Sequence, residues 1–200
     1  MSKYTDKAKD SFNTKWKLFC FAHIIGQEPD FSILAFKAFV IEDDLIRIFT
    51  TEYHQYEHHC ELSSVEMTVD DIYIRLKELD EDPIKEKCLT QYIANFTAVF
   101  PEINFNDLID KTEKCYYCKT TKTQFDLLYD DHKIYKKAER GWKFEIDRKE
   151  PNKEYFEDNC VMSCYWCNNA KTDEFDADEF KPIGLLIGKT LLSRLQKKDK

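Results

Sequence analysis

The sequence predicts an α+β protein. Residues 1–110 read as a mainly helical region, and residues 111–200 as a small hairpin-and-helix module followed by a C-terminal helix. Three observations carry this reading. Apolar residues recur at helical spacing through the first half. The texture then changes at Cys115, where the first of two Cys-x-x-Cys pairs appears, and short extended segments follow. Last, a leucine-rich stretch near the C-terminus has the composition of a packing helix.

Taken in order, Ser11 to Ile25 places Phe12, Trp16, Phe19, Cys20 and His23 on one helical stripe. Phe31 to Val40 is a second apolar stretch, and Leu45 to Thr51 fits a strand or a helix. Asp70 and Asp71 form an acidic first turn before Ile72 to Leu79. Asp82-Pro83 opens another helix, because Pro is tolerated where the N–H would be unpaired anyway. That helix runs to about Phe100 and stops at Pro101. Asn104 to Lys111 is a short helix. Beyond Cys115, Gln124 to Tyr129 is expected as a strand, with Lys133 to Lys136 as its partner. Gly141 marks a turn before a strand over Trp142 to Asp147. Asn159 to Ser163 returns, and Cys164 turns into a helix reaching Thr172. Asp176 or Asp178 caps a last helix, interrupted or delayed at Pro182 and running to about Gln196. Leu185, Leu186, Leu191, Leu192 and Leu195 are its expected packing face.

Composition narrows the function classes. The longest apolar run near the C-terminus, Ile183 to Ile187, is far short of the roughly 20 residues that span a bilayer. The N-terminus is polar and lacks a signal peptide's apolar stretch, so a soluble, cytoplasmic protein is expected. Net charge is −8 but uneven. Residues 1–110 hold 11 Lys+Arg against 21 Asp+Glu, and residues 111–200 hold 19 against 17. The acidic half would repel phosphates, so any nucleic-acid face belongs to the second half. Basic residues gather there at Lys133, Lys136, Lys137, Arg140 and Lys143, then at Lys149 and Lys153.

The eight cysteines fit a reducing compartment better than a disulfide scaffold. Cys115/Cys118 and Cys164/Cys167 are two Cys-x-x-Cys pairs separated by 45 residues. Together they can close one tetrahedral S₄ zinc site with no open position, which makes the metal structural. Cys20 and Cys88 read as small buried hydrophobes. His54 and His58 share a helix face if that segment is helical, with Glu57, His59 and Cys60 nearby. No His-Glu-x-x-His motif is present, so a polar helix surface is preferred to a second metal site.

With its cysteine pairs, a strand ending Asp147-Arg148, Asn159, and Asn168 directly after Cys167, the stretch from Cys115 to about Phe175 resembles the HNH, or His-Me finger, endonucleases in their zinc-stapled branch. The resemblance implies a ββα-metal module that cuts DNA. It also implies that Asp147 and Asn168 ligate a catalytic Mg²⁺ or Mn²⁺ and that Asn159 ties the hairpin loop by hydrogen bonds. Lys143, Lys149 and Lys171 become candidate nucleic-acid contacts. The departure is Arg148, which stands where the family has its catalytic His. Arginine stays protonated and cannot accept a proton from water. Three alternatives stay open. Another group is the base, with His132 the sole histidine of the second half; Arg148 acts on phosphate charge in a specialised cleavage; or the module binds nucleic acid without cutting it. A protein-interaction adaptor, or self-association through the acidic first half, is the remaining alternative.

Overall fold

The structure, a computed structural model, describes residues 2–53, 67–135 and 144–196. The histidine cluster with Glu57 and Cys60 lies outside them. So do Lys136, Lys137, Arg140, Gly141, Trp142 and Lys143. The chain divides into two compact units, Met1–Val99 with Asn152–Glu154, and Phe100–Pro151 with Tyr155–Lys200. Residues 100–110, grouped by sequence with the first region, thus cluster with the second unit.

The first unit is helical among its described residues. Its elements are α1 (Lys3–Ile24), α2 (Ile33–Ala38), α3 (Asp43–Arg47), a wider π-helical turn over Ile48–Tyr53, α4 (Val69–Asp80) and α5 (Ile84–Val99). Leu45 to Thr51 is therefore helical, the reading the sequence left open. Local chemistry sets the helix starts. The Ser2, Ser32 and Thr68 side chains each accept a backbone N–H of the first turn, and Asp82 Oδ1 accepts Ile84 N–H at 2.8 Å. The central helix α1 buries Phe12, Trp16, Leu18, Phe19, Cys20 and Phe21 on more than one side. Phe36 and Phe39 pack their rings edge-on against it, and Phe31 stacks on Phe19 at 5.4 Å. Each such side chain contributes roughly 1.5–3 kcal/mol through burial.

The second unit begins with α6 (Glu102–Lys111), then the first cysteine knuckle and α7 (Lys122–Asp130). Strand β1 (Glu145–Arg148) pairs antiparallel with β2 (Cys160–Ser163), in a register that sets Asp147 opposite Val161. A short 3₁₀ turn, Glu157–Asn159, precedes β2. Then come α8 (Tyr165–Lys171) and α9 (Ala177–Gln196).

Two expectations are corrected here. Gln124 to Tyr129 is helix α7 rather than a strand, and Lys133 to Tyr135 is not strand. The cause is a capping box. Thr121 Oγ1 accepts Gln124 N–H at 3.2 Å, and Gln124 Oε1 accepts Thr121 N–H at 2.9 Å. Phe125 and Leu128, three apart, are then the buried face. On α9 the buried face is Ala177, Phe180, Gly184, Gly188 and Leu191, with Leu195 partly buried. Leu185 and Leu186 are exposed. Asp176 caps this helix through Asp178 and Glu179 N–H, and Pro182 lies inside it without ending it.

Candidate functional site

Two structural constructions meet in the second unit. The first is the cysteine cluster. Sγ atoms of Cys115, Cys118, Cys164 and Cys167, all buried, lie within 4.8 Å of one another. Cys118 and Cys164 sulfurs stand 3.7 Å apart. That is far from a disulfide length and close to the edge of about 3.8 Å expected of four sulfurs bound at about 2.3 Å around one zinc. Backbone N–H groups reinforce it: Cys164 donates to Cys115 Sγ at 3.3 Å, and Cys167 donates to Cys164 Sγ at 3.5 Å. Hydrogen bonds from Cys118, Cys164 and Cys167 hold the Cys115 thiol below its ordinary value, while hydrogen bonding to Cys115 and Cys118 pushes Cys164 and Cys167 up. Four sulfurs this close carry full thiolate charge only when a cation shares it. The residues fit a structural zinc.

The knuckles hold this cluster against the hairpin. Tyr116 N–H donates to the Met162 carbonyl at 2.9 Å, which lays the first knuckle along β2. Lys119, at φ 62°, makes the turn that leaves it. Tyr117 is fully buried and meets Phe180 edge-on at 5.1 Å. Trp166 stacks on Phe125 at 5.3 Å with the rings nearly parallel. These two knuckle aromatics pack within the second unit's core.

The second construction is a set of polar side chains on β1 and α8. Glu145 and Asp147, two apart on a strand, share one face. Asn168 and Lys171, three apart on α8, share the face turned to it. Two cross-links result. Asn168 Nδ2 donates to Glu145 Oε2 at 2.6 Å, and Lys171 Nζ lies 3.7 Å from Asp147 Oδ2. The same Asp147 oxygen accepts the Tyr117 hydroxyl at 2.7 Å. Burial raises the Asp147 carboxyl above the usual range, against the opposing pull of Lys171 and Tyr117. Burial also lowers Lys171, and burial with the nearby Asp147 charge raises the Tyr117 phenol. Glu145, Asp147 and the Asn168 amide oxygen are hard oxygen donors of the kind that suits Mg²⁺ or Mn²⁺.

Of the residues singled out by sequence, Asn159 is buried and bridges the hairpin loop. Its Oδ1 accepts Glu150 N–H at 2.9 Å, and its Nδ2 donates to the Glu150 carbonyl at 3.1 Å. Its own carbonyl accepts Lys149 N–H at 2.8 Å. Arg148 stacks its guanidinium over Tyr155 at 4.8 Å and reaches Asp173 at 3.5 Å. Lys171, expected at a phosphate, is instead fully buried beside Asp147. His132 is exposed in the left-handed turn that ends α7, at φ 53°. No described contact joins it to Asp147. The sequence pointed to no site role for Glu145, and to Tyr117 only as a knuckle aromatic packed in the core, not as a partner of Asp147. Glu145 had a local signal, its two-residue spacing from Asp147 on one strand. Tyr117 had none, since its partner lies 30 residues away.

No helix among the described residues is long and apolar enough to cross a membrane. No protein-family model matches this chain, and no curated protein is found similar to it. Among solved structures the chain is similar to PacI, described as a rare-cutting HNH restriction endonuclease. Identity is 20%, the TM-score is 0.35, and the alignment covers 53% of this chain and 65% of that one, less than two thirds of PacI's length.

Proposed function

We propose that the second unit is an HNH-type endonuclease module that hydrolyses phosphodiester bonds in DNA. The observation that supports the reading is that β1, which bears Asp147, and α8, which bears Asn168, are cross-linked by the Asn168–Glu145 and Lys171–Asp147 contacts, on a hairpin tied by Asn159 and joined to α8 by the four-cysteine cluster. Cys115, Cys118, Cys164 and Cys167 hold structural zinc. Asp147 and Asn168, with Glu145 beside them, hold a catalytic Mg²⁺ or Mn²⁺. Such an ion, when bound, polarises the scissile phosphate and eases departure of the 3′ oxygen. Arg148, held by Tyr155 and Asp173, supplies a fixed positive charge to the phosphate. Lys149, and Lys143 outside the described residues, contact the nucleic-acid backbone. The acidic first unit serves a protein partner or self-association.

Cleavage of plasmid and branched DNA with Mg²⁺ or Mn²⁺ tests this. Wild type is expected to nick, and Asp147→Ala and Asn168→Ala to lose nicking. A second reading, a zinc-containing module that binds nucleic acid without cutting it, is favoured by Arg148 in the position of the base. Zinc-loaded wild type that binds DNA with steep salt dependence but never nicks it establishes that second reading.

A further inference from the structure

We propose that Lys171 is the resident cation of the Asp147 site, competing with a divalent ion for the same carboxylate and keeping the site's intrinsic affinity for that ion low. The inference rests on the endonuclease reading. A lysine ammonium ordinarily snorkels to water. Here the whole Lys171 side chain is buried at 0% exposure, and among the described residues Nζ has no hydrogen-bond acceptor. Its 3.7 Å separation from Asp147 Oδ2 is too long for a hydrogen bond, so the attraction is Coulombic. Tyr117 takes the hydrogen-bond position on that oxygen. Arg148, the neighbouring cation, also engages Asp173 and Tyr155.

A phosphate-binding lysine needs its ammonium at the surface, and this one is not there. Packing alone does not account for it, because an apolar side chain of similar volume would fill the space without desolvating a charge. What the ammonium does at this position is neutralise Asp147. A divalent ion added to the same carboxylate meets a positive charge in a poorly screened interior. Its binding is then favoured when a phosphodiester adds negative charge to the site.

The test is Mn²⁺ binding to the zinc-loaded full chain without DNA, followed by the electron paramagnetic resonance signal of free Mn²⁺ near neutral pH. Lys171→Met and Lys171→Gln are compared with wild type, and zinc content verifies folding of each. Both variants are expected to bind Mn²⁺ at least about tenfold more tightly, and adding Asp147→Ala is expected to abolish the gain. Equal or weaker binding in the variants, with an Asp147-dependent site in wild type, overturns the role of Lys171 and leaves the endonuclease reading standing. No Asp147-dependent Mn²⁺ site in any of the proteins overturns both.

Discussion

Gly188 packs against Cys118 so closely that a Cβ on the glycine would lie 2.2 Å from the Cys118 carbonyl oxygen. One turn earlier, a Cβ on Gly184 would lie 2.6 Å from Tyr117 Cβ. The two glycines let α9 lie directly on the first knuckle, and the knuckle carries both a cysteine ligand and the tyrosine that holds Asp147.

Gly188→Ala is therefore expected to push α9 off the knuckle, since a backbone carbonyl cannot rotate away as a side chain does. The expected destabilisation is about 3 kcal/mol, at the upper end for overpacking. Thermal unfolding and zinc content after dialysis check it. Unchanged values would mean that the helix can shift without disturbing the knuckle.

Removing one sulfur is expected to release the zinc. Cys167→Ser should hold less than one zinc per chain and lose the near-ultraviolet signal of the second unit's packed aromatics. Acidification should release zinc from the wild type too, because the ligands must be deprotonated to bind. Zinc content against pH reads both effects.

Asp147 and Lys171 should be strongly coupled. Asp147→Asn strands a buried ammonium, and Lys171→Met strands a buried carboxylate, each expected to cost about 3–5 kcal/mol. The double variant should recover most of that loss. A double-mutant cycle by chemical denaturation gives the coupling energy, and simple additivity would show that the pair does not interact.

Asn159→Ala removes both partners of the Glu150 backbone from a buried position. A loss of about 2 kcal/mol is expected from the unpaired donor and acceptor. Hydrogen exchange at Glu150 N–H should accelerate relative to the β1 and β2 amides. Protection equal to wild type would show that the loop is held by something else.

In the first unit, burial pushes the Cys20 thiol from 9.0 up to about 12. Below the unfolded value both states are protonated and the contribution does not change. As pH rises from about 9 to about 12, the unfolded thiol ionises while the folded one keeps its proton. The unfolded state then binds fewer protons, and stability falls across that window. Cys20→Ala should show a shallower fall over the same range in denaturation curves.

Much of the candidate site was legible because it is written in short spacings. The two Cys-x-x-Cys pairs, Asp147-Arg148 and Asn168 directly after Cys167 are local patterns, and all of them lie in the hairpin, knuckles and helix where the sequence placed them. The misreading of Gln124 to Tyr129 was also local. Thr121 and Gln124 spell a capping box, which outweighs the segment's strand-like apolar content.

Sequence alone determined the helical character of the first half, the ββα order of the second and the four sulfurs that converge, since turn chemistry, periodicity and ligand spacing act over a few residues. Tertiary structure alone decided which face of α9 is buried, because only close approach to Tyr117 and Cys118 gives its glycines their use. It alone placed Lys171 inside rather than at the surface and joined Glu145 to Asn168. Burial and charge pairing are set by whatever chain arrives from elsewhere. Asp147 receives its hydroxyl partner from 30 residues upstream and its ammonium from the far end of α8.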